Sequence, residues 1–145
     1  MIDTVRKIVA KYKTRDPFEI ADAMGVVTIT EDLSGSTNGF YFYHNRSGVI
    51  CIDSKLSEEK SRVVCAHELG HYVLHREDNS VFLKGFTYYT TNKLEIQANR
   101  FAAHLLIPDE VLLDYRDSGF CVSQIAAGLE VPKSILELKL ADCRI

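Results

Sequence analysis

A chain of 145 residues, 46% hydrophobic and 26% charged, has the length and composition of a single globular domain. Its net charge of −3 supplies no overall positive field to recruit nucleic acid or anionic lipid. No stretch approaches the roughly 18 apolar residues of a membrane span, and "MIDTVRKIVAKYK" lacks the apolar region of a secretory signal, so a cytoplasmic protein is expected.

Along the chain, Val5, Ile8, Val9 and Tyr12 recur at helical spacing and predict an amphipathic helix, whose basic residues read as a solvated face. In "DPFE", Asp16 supplies an N-cap, Pro17 the first helical position and Glu19 a first-turn carboxylate, opening a short helix that Gly25 closes. Val26–Thr30 predicts a strand. Phe40–His44 and Val49–Ile52, separated by "NRSG", predict an antiparallel hairpin. Ser57 caps a long helix reaching about His75, with Glu58 and Glu59 in the turn where the macrodipole favours them. Residues 77–92 read as irregular and aromatic. A second long helix, "KLEIQANRFAAHLLI", stops before Pro108. "DEVLLDY" predicts a short helix, and "VSQIAAGLEVPKSILELKL" two more around a Val-Pro turn, with Ser123 and Pro132 as start signals. One domain, residues 1–145, is thus expected to divide near Pro108 into a catalytic core, 1–108, and a C-terminal helical subdomain, 109–145. Cys51, Cys65, Cys121 and Cys143 form no CxxC pair and are expected to be buried, reduced thiols.

The chemistry concentrates in "VVCAHELGHYVLH", Val63 to His75. His67 and His71 are four residues apart, which on a helix places both imidazoles on one face within reach of one metal ion. Glu68 flanks that ion and can take a proton from a bound water, the general-base role in H-E-x-x-H sites. Gly70, inside the helix, implies another backbone packed closely behind the metal. Two histidines leave tetrahedral zinc one protein ligand short. The metzincin extension is missing, since Leu74 and Glu77 stand where its glycine and third histidine would be. His75 lies about 12 Å along the axis from His67. It reads either as a last-turn residue complementing the dipole or as a substrate contact.

Glu95 on the next long helix is the stronger third ligand. It shares a face with Asn99 and with the small Ala98 and Ala102, which would let the two helices approach closely. Asn99, one turn on, could orient an imidazole N–H. The alternative for Glu95 is an exposed helix-start carboxylate. His104 points about 180° away from it and reads as a surface residue. Tyr88 and Tyr89 are candidates for an oxyanion donor, or else packing aromatics.

"HELGHYVLH" followed by "EIQANRFAAHLLIP" resembles the paired signature of the ImmA/IrrE-type zinc metallopeptidases, HELGHxxxH and ExxANxFAxxLLxP. The likeness extends through "DPFEIADAMGV", "GFYFYHNRSGVICID" and the closing "VSQIAAGLEVPKSILELKL". It implies that His67, His71 and Glu95 hold Zn²⁺ and that Glu68 is the catalytic base, as in other gluzincin-like HExxH enzymes. Gln97 and His104 depart from the acidic residues common at those positions, and neither is a ligand. The implied fold is α+β: a small antiparallel sheet of about three strands packed with a zincin-like helical core and a C-terminal helix-turn-helix-like subdomain. The implied activity is cytosolic cleavage of a helix-turn-helix transcriptional repressor encoded by a phage or mobile element.

A rival reading makes the chain a non-proteolytic, metal-containing regulatory module that binds a repressor or DNA through its last helices. Direct nucleic-acid binding is not expected from those helices. Lys133 and Lys139 are offset by Glu130 and Glu137, and the second helix offers no Arg, Asn or Gln on its face to read bases.

Overall fold

Local signals start most elements where the sequence places them. In the computed structural model, residues 1–76 and 88–143 are described, with side chains described for all of these except 88–92. Helix α1 (Ile2–Tyr12) buries Val5 and Ile8. Helix α2 (Pro17–Ala23) opens as its sequence predicts: the Asp16 carboxylate accepts from Phe18 N–H at 2.9 Å, and Pro17 occupies the first helical position. Strands β1 (Val27–Glu31), β2 (Gly39–His44) and β3 (Ser47–Asp53) follow. Asn45 and Arg46 hold positive φ of 50° and 62°, the two-residue turn whose twist suits a hairpin. Gly48, expected in the turn, lies in β3 instead. Tyr72 packs over it so closely that a Cβ would come within 2.8 Å of the ring.

The sheet is mixed rather than antiparallel throughout. Its order is β1-β3-β2, with β2 antiparallel and β1 parallel to the central β3. The hairpin turn fixes β2 against one edge of β3, and β1 takes the other edge of β3. Its connection to β2 then passes over the C-terminal end of β3. Buried Asp53 anchors that crossing: its Oδ1 accepts from Leu33 N–H and Lys55 N–H, each at 3.3 Å, and its own N–H donates to Asn38 O at 2.9 Å. This places Thr37, Asn38 and Gly39 above the long helix α3.

Helix α3 (Glu58–His75) begins at Ser57, whose hydroxyl accepts from Lys60 N–H at 3.2 Å. It lies between the sheet, through Tyr41, Ile50 and Ile52, and helix α4 (Tyr88–Leu106). Helix α4 starts five residues before the expected Lys93. Tyr, Thr and Asn are weak helix formers, so "YYTTN" gives little sign of helix on its own. Leu69, Phe101 and Leu105 are fully buried in the shared core. Arg15, on the connection from α1 to α2, donates to the carbonyls of His104 and Leu105 at 3.1 and 3.0 Å and so caps the end of α4.

Helices α5 (Asp109–Tyr115), α6 (Val122–Leu129) and α7 (Lys133–Cys143) complete the described chain. Helix α6 starts one residue earlier than Ser123 suggests. Gln124 reaches back to accept from the Cys121 N–H at 2.9 Å. Helix α7 docks on α4. His104 is consequently buried rather than at the surface, with only 3% of it exposed. Its Nε2–H donates to Asp142 at 2.8 Å, and its Nδ1 accepts from Lys139 at 3.2 Å. Arg100 binds both oxygens of Asp142 at 2.9 Å, and Lys139 also donates to Asp109 at 2.6 Å. The cysteines divide: Cys51 and Cys65 are buried, Cys143 is half-buried and Cys121 is exposed.

Candidate metal centre

The close approach of α3 and α4 creates the site. A Cβ on Gly70 would meet the Ala98 carbonyl oxygen at 3.1 Å, Ala98 Cα at 3.2 Å and Phe101 Cδ1 at 3.1 Å. Ala98 and Ala102 are themselves fully buried. Glycine on one helix and alanines on the other therefore let the backbones nearly touch, which carries Glu95 across to the histidine face.

His67 Nε2 lies 2.9 Å from one Glu95 carboxylate oxygen, and His71 Nε2 lies 3.1 Å from the other. One donor atom from each of the three residues falls within 4.8 Å of the others. His67 Nδ1–H donates to Asn99 Oδ1 at 2.7 Å, so its Nε2 is the nitrogen presented to the centre. Buried His71 presents Nε2 in the same way, and its Nδ1 has no hydrogen-bond partner among the described residues.

The electrostatics fit a cation. Burial pushes His67 down, but the Glu95 hydrogen bond and the charges of Glu68 and Glu95 outweigh it and leave its pKa raised. Hydrogen bonds from His67 and His71 hold the Glu95 carboxyl well below the usual carboxylate range, against the opposing effect of burial. A metal ion would therefore displace protons from nitrogens already aimed at an ionised carboxylate. Two imidazoles and a carboxylate form a donor set suited to zinc, with the fourth position left to solvent or substrate. Cys65 is a different case: burial, then the charges of Asp16 and Glu68, push its thiol up to about 12, so it stays protonated and away from the donor set.

Glu68 is largely buried and lines the same cleft, of about 340 Å³, as His67, Glu95 and Asn99. His75 is buried with its ring 5.8 Å from that of His71, one turn beyond the three converging donors. The side chains of Tyr88 and Tyr89 lie outside the described residues.

Sequence reasoning missed the other walls of the cleft. Thr37, Asn38 and Gly39 close it from the β1–β2 crossing, and Pro132, Ser134 and Ile135 from the start of α7. The turn-rich "GSTNG" marked a loop, but only the crossing over β3 brings it here.

A family description of the IrrE N-terminal-like domain, a peptidase family, matches residues 21–141, which includes every element that builds the centre. The chain belongs to this peptidase family. It is 31% identical to the metallopeptidase ImmA of Bacillus subtilis (strain 168) over 141 residues, covering 95% of this chain and 82% of that protein. It is also 38% identical over 135 residues to uncharacterized immunity region protein 2 of Bacillus phage phi105, covering 93% of this chain and 85% of that protein. Family membership implies a metal, and His67, His71 and Glu95 form a group able to hold one. No helix among the described residues is long and apolar enough to cross a membrane.

Proposed function

We propose that this chain is a cytoplasmic zinc endopeptidase that cleaves a helix-turn-helix repressor of a phage or mobile element. The observation that carries the proposal is the convergence of His67, His71 and Glu95 in a cleft that Glu68 also lines. The three converging side chains would hold the ion, and Asn99 would fix the His67 ring. When bound, zinc supplies Lewis-acid polarisation of the scissile carbonyl and acidifies water. Glu68 takes the proton of the attacking water and passes it to the leaving amine. The repressor target and the mobile-element setting draw support from the similarity to a phage immunity-region protein.

The placement of α6 and α7 supports a single domain over a separable DNA-binding unit. In a helix-turn-helix, the N-terminal turn of the second helix meets the bases. Here the corresponding Pro132, Ser134 and Ile135 face the cleft, and Lys139 is buried in ion pairs. We therefore read residues 109–145 as part of one domain with the catalytic core, 1–108.

Glu68→Gln keeps shape and hydrogen bonding but removes the proton acceptor. Co-expressed with a candidate helix-turn-helix repressor, the wild type should yield a cleavage fragment. Glu68→Gln should bind zinc and the repressor yet yield none, since general-base transfer alone is worth about 10²–10⁴ in rate. Equal repressor inactivation by both proteins, with no fragment on a gel, would establish the binding module instead.

A further inference from the structure

Beside the metal cleft lies a second, larger groove of about 660 Å³ that the catalytic chemistry does not use. Its walls are mainly apolar. Val63 and Val64 come from α3, Leu56 from the β3–α3 connection, and Val131 and Pro132 from the α6–α7 junction. Asn38, Val63, Val64 and Pro132 also line the metal cleft, so the two spaces are continuous. Val63 and Val64 precede His67 by four and three residues, which puts this wall about 5–6 Å along the helix axis from the histidine. An extended polypeptide advances about 3.3 Å per residue. A chain whose carbonyl is held at the centre therefore has a neighbouring side chain over this groove.

The rim carries Lys60 together with Glu59 and Glu130, mixed charges that select no single sign. Discrimination falls to the apolar walls. The volume lies within the roughly 300–1,000 Å³ of pockets that enclose organic ligands, ample for one large side chain and its flanking backbone.

We propose that this groove is the specificity subsite: it takes a large aliphatic or aromatic side chain of the substrate polypeptide, one or two residues from the scissile bond. The inference rests on the metallopeptidase reading. It also gives the C-terminal helices a direct part in substrate choice, because Val131 and Pro132 line the groove together with Val63 and Val64 of α3.

The test measures binding to the zinc-loaded full chain by calorimetry, without turnover. The probes are a peptide hydroxamate with an isobutyl side chain beside its metal-binding group and the analogue with hydrogen in that place. The isobutyl compound should bind at least about tenfold tighter, as expected for apolar groups filling an apolar pocket. Val131→Phe and Leu56→Trp, which fill the groove from two walls at residues that do not line the metal cleft, should each abolish the difference while leaving the affinity of the hydrogen analogue unchanged. Zinc content and circular dichroism verify each variant, and either one suffices if the other does not fold. Equal affinity of the two probes for the wild type overturns the subsite and leaves the metal centre intact. So does a preference that survives the filling substitution. Failure of both probes to bind a zinc-containing chain overturns the open metal centre, and the subsite with it.

Discussion

Replacing Gly70 by alanine sets two effects of known size against each other. In a helix interior, alanine is favoured over glycine by about 1 kcal/mol. The added methyl would sit 3.1 Å from the Ala98 carbonyl oxygen and 3.2 Å from its Cα. Comfortable carbon contacts lie at about 3.5–4.0 Å. Backbone atoms cannot swing aside, so α3 and α4 must separate by a few tenths of an ångström. Overpacking of this kind costs roughly 1–3 kcal/mol, leaving a net loss of about 0–2 kcal/mol. The larger effect falls on the metal. Glu95 precedes Ala98 by less than one turn, and metal sites tolerate distance errors of only about 0.2 Å. Zinc affinity should therefore fall by about tenfold or more. Gly128→Ala is the control. There the nearest atom is the Tyr115 hydroxyl at 2.8 Å, the far end of a side chain that can turn away, so the change should be neutral or stabilising by up to about 1 kcal/mol. Urea denaturation of the metal-free proteins and zinc titration against a competing chelator measure both quantities. A Gly70→Ala protein that gains about 1 kcal/mol and keeps wild-type zinc affinity would refute the close-contact account.

Three further outcomes follow from the geometry. Asn99→Ala removes the acceptor that orients His67 and should weaken zinc binding about 10–100-fold. Glu95→Ala should weaken it further, and His104→Ala should leave it near wild type; the same chelator titration ranks them. Burial, with Lys139 adding to it and Asp142 opposing, lowers the His104 pKa. The unfolded chain, with histidine near 6.5, therefore takes up the extra proton first as pH falls. Stability attributable to neutral His104 is present above about pH 6.5 and is lost below it. The melting temperature of the metal-free protein should accordingly fall less between pH 7 and 5 in His104→Gln than in the wild type, and identical slopes would contradict this. Arg15→Ala strips the guanidinium from two carbonyls at the end of α4 and should cost about 1–2 kcal/mol in urea denaturation. Arg15→Lys should recover only part of it.

What could be read in advance was whatever depends on neighbours within a turn or two. Asp16, Pro17 and Ser57 start their helices through contacts no more than three residues away, and the 40° offset of His67 from His71 is a property of any helix. Gly70 with Ala98 and Ala102 was also informative, because small residues on two helices have few other reasons to coincide. Long-range partners were opaque. The period of α4 correctly put His104 opposite Glu95, but nothing in the period says whether water or α7 covers that face. Its cover, Asp142, lies 38 residues away. Alternation in β1 likewise marks a strand without fixing its direction relative to β3. The cleft walls at Asn38 and Pro132 depend on both unknowns at once.

Helix α4 serves two masters on opposite sides: Glu95 and Asn99 face the histidines, while Arg100 and His104 face α7. Each residue of a helix turns the chain by about 100°. Inserting or deleting one residue between Asn99 and Arg100 would leave both halves helical yet rotate one working face away from its partner. Relatives of this chain can therefore vary in sequence along α4 and in the lengths of the loops around it, but the stretch from Glu95 to His104 must keep its length. It is a fixed spacer whose register is inherited whole.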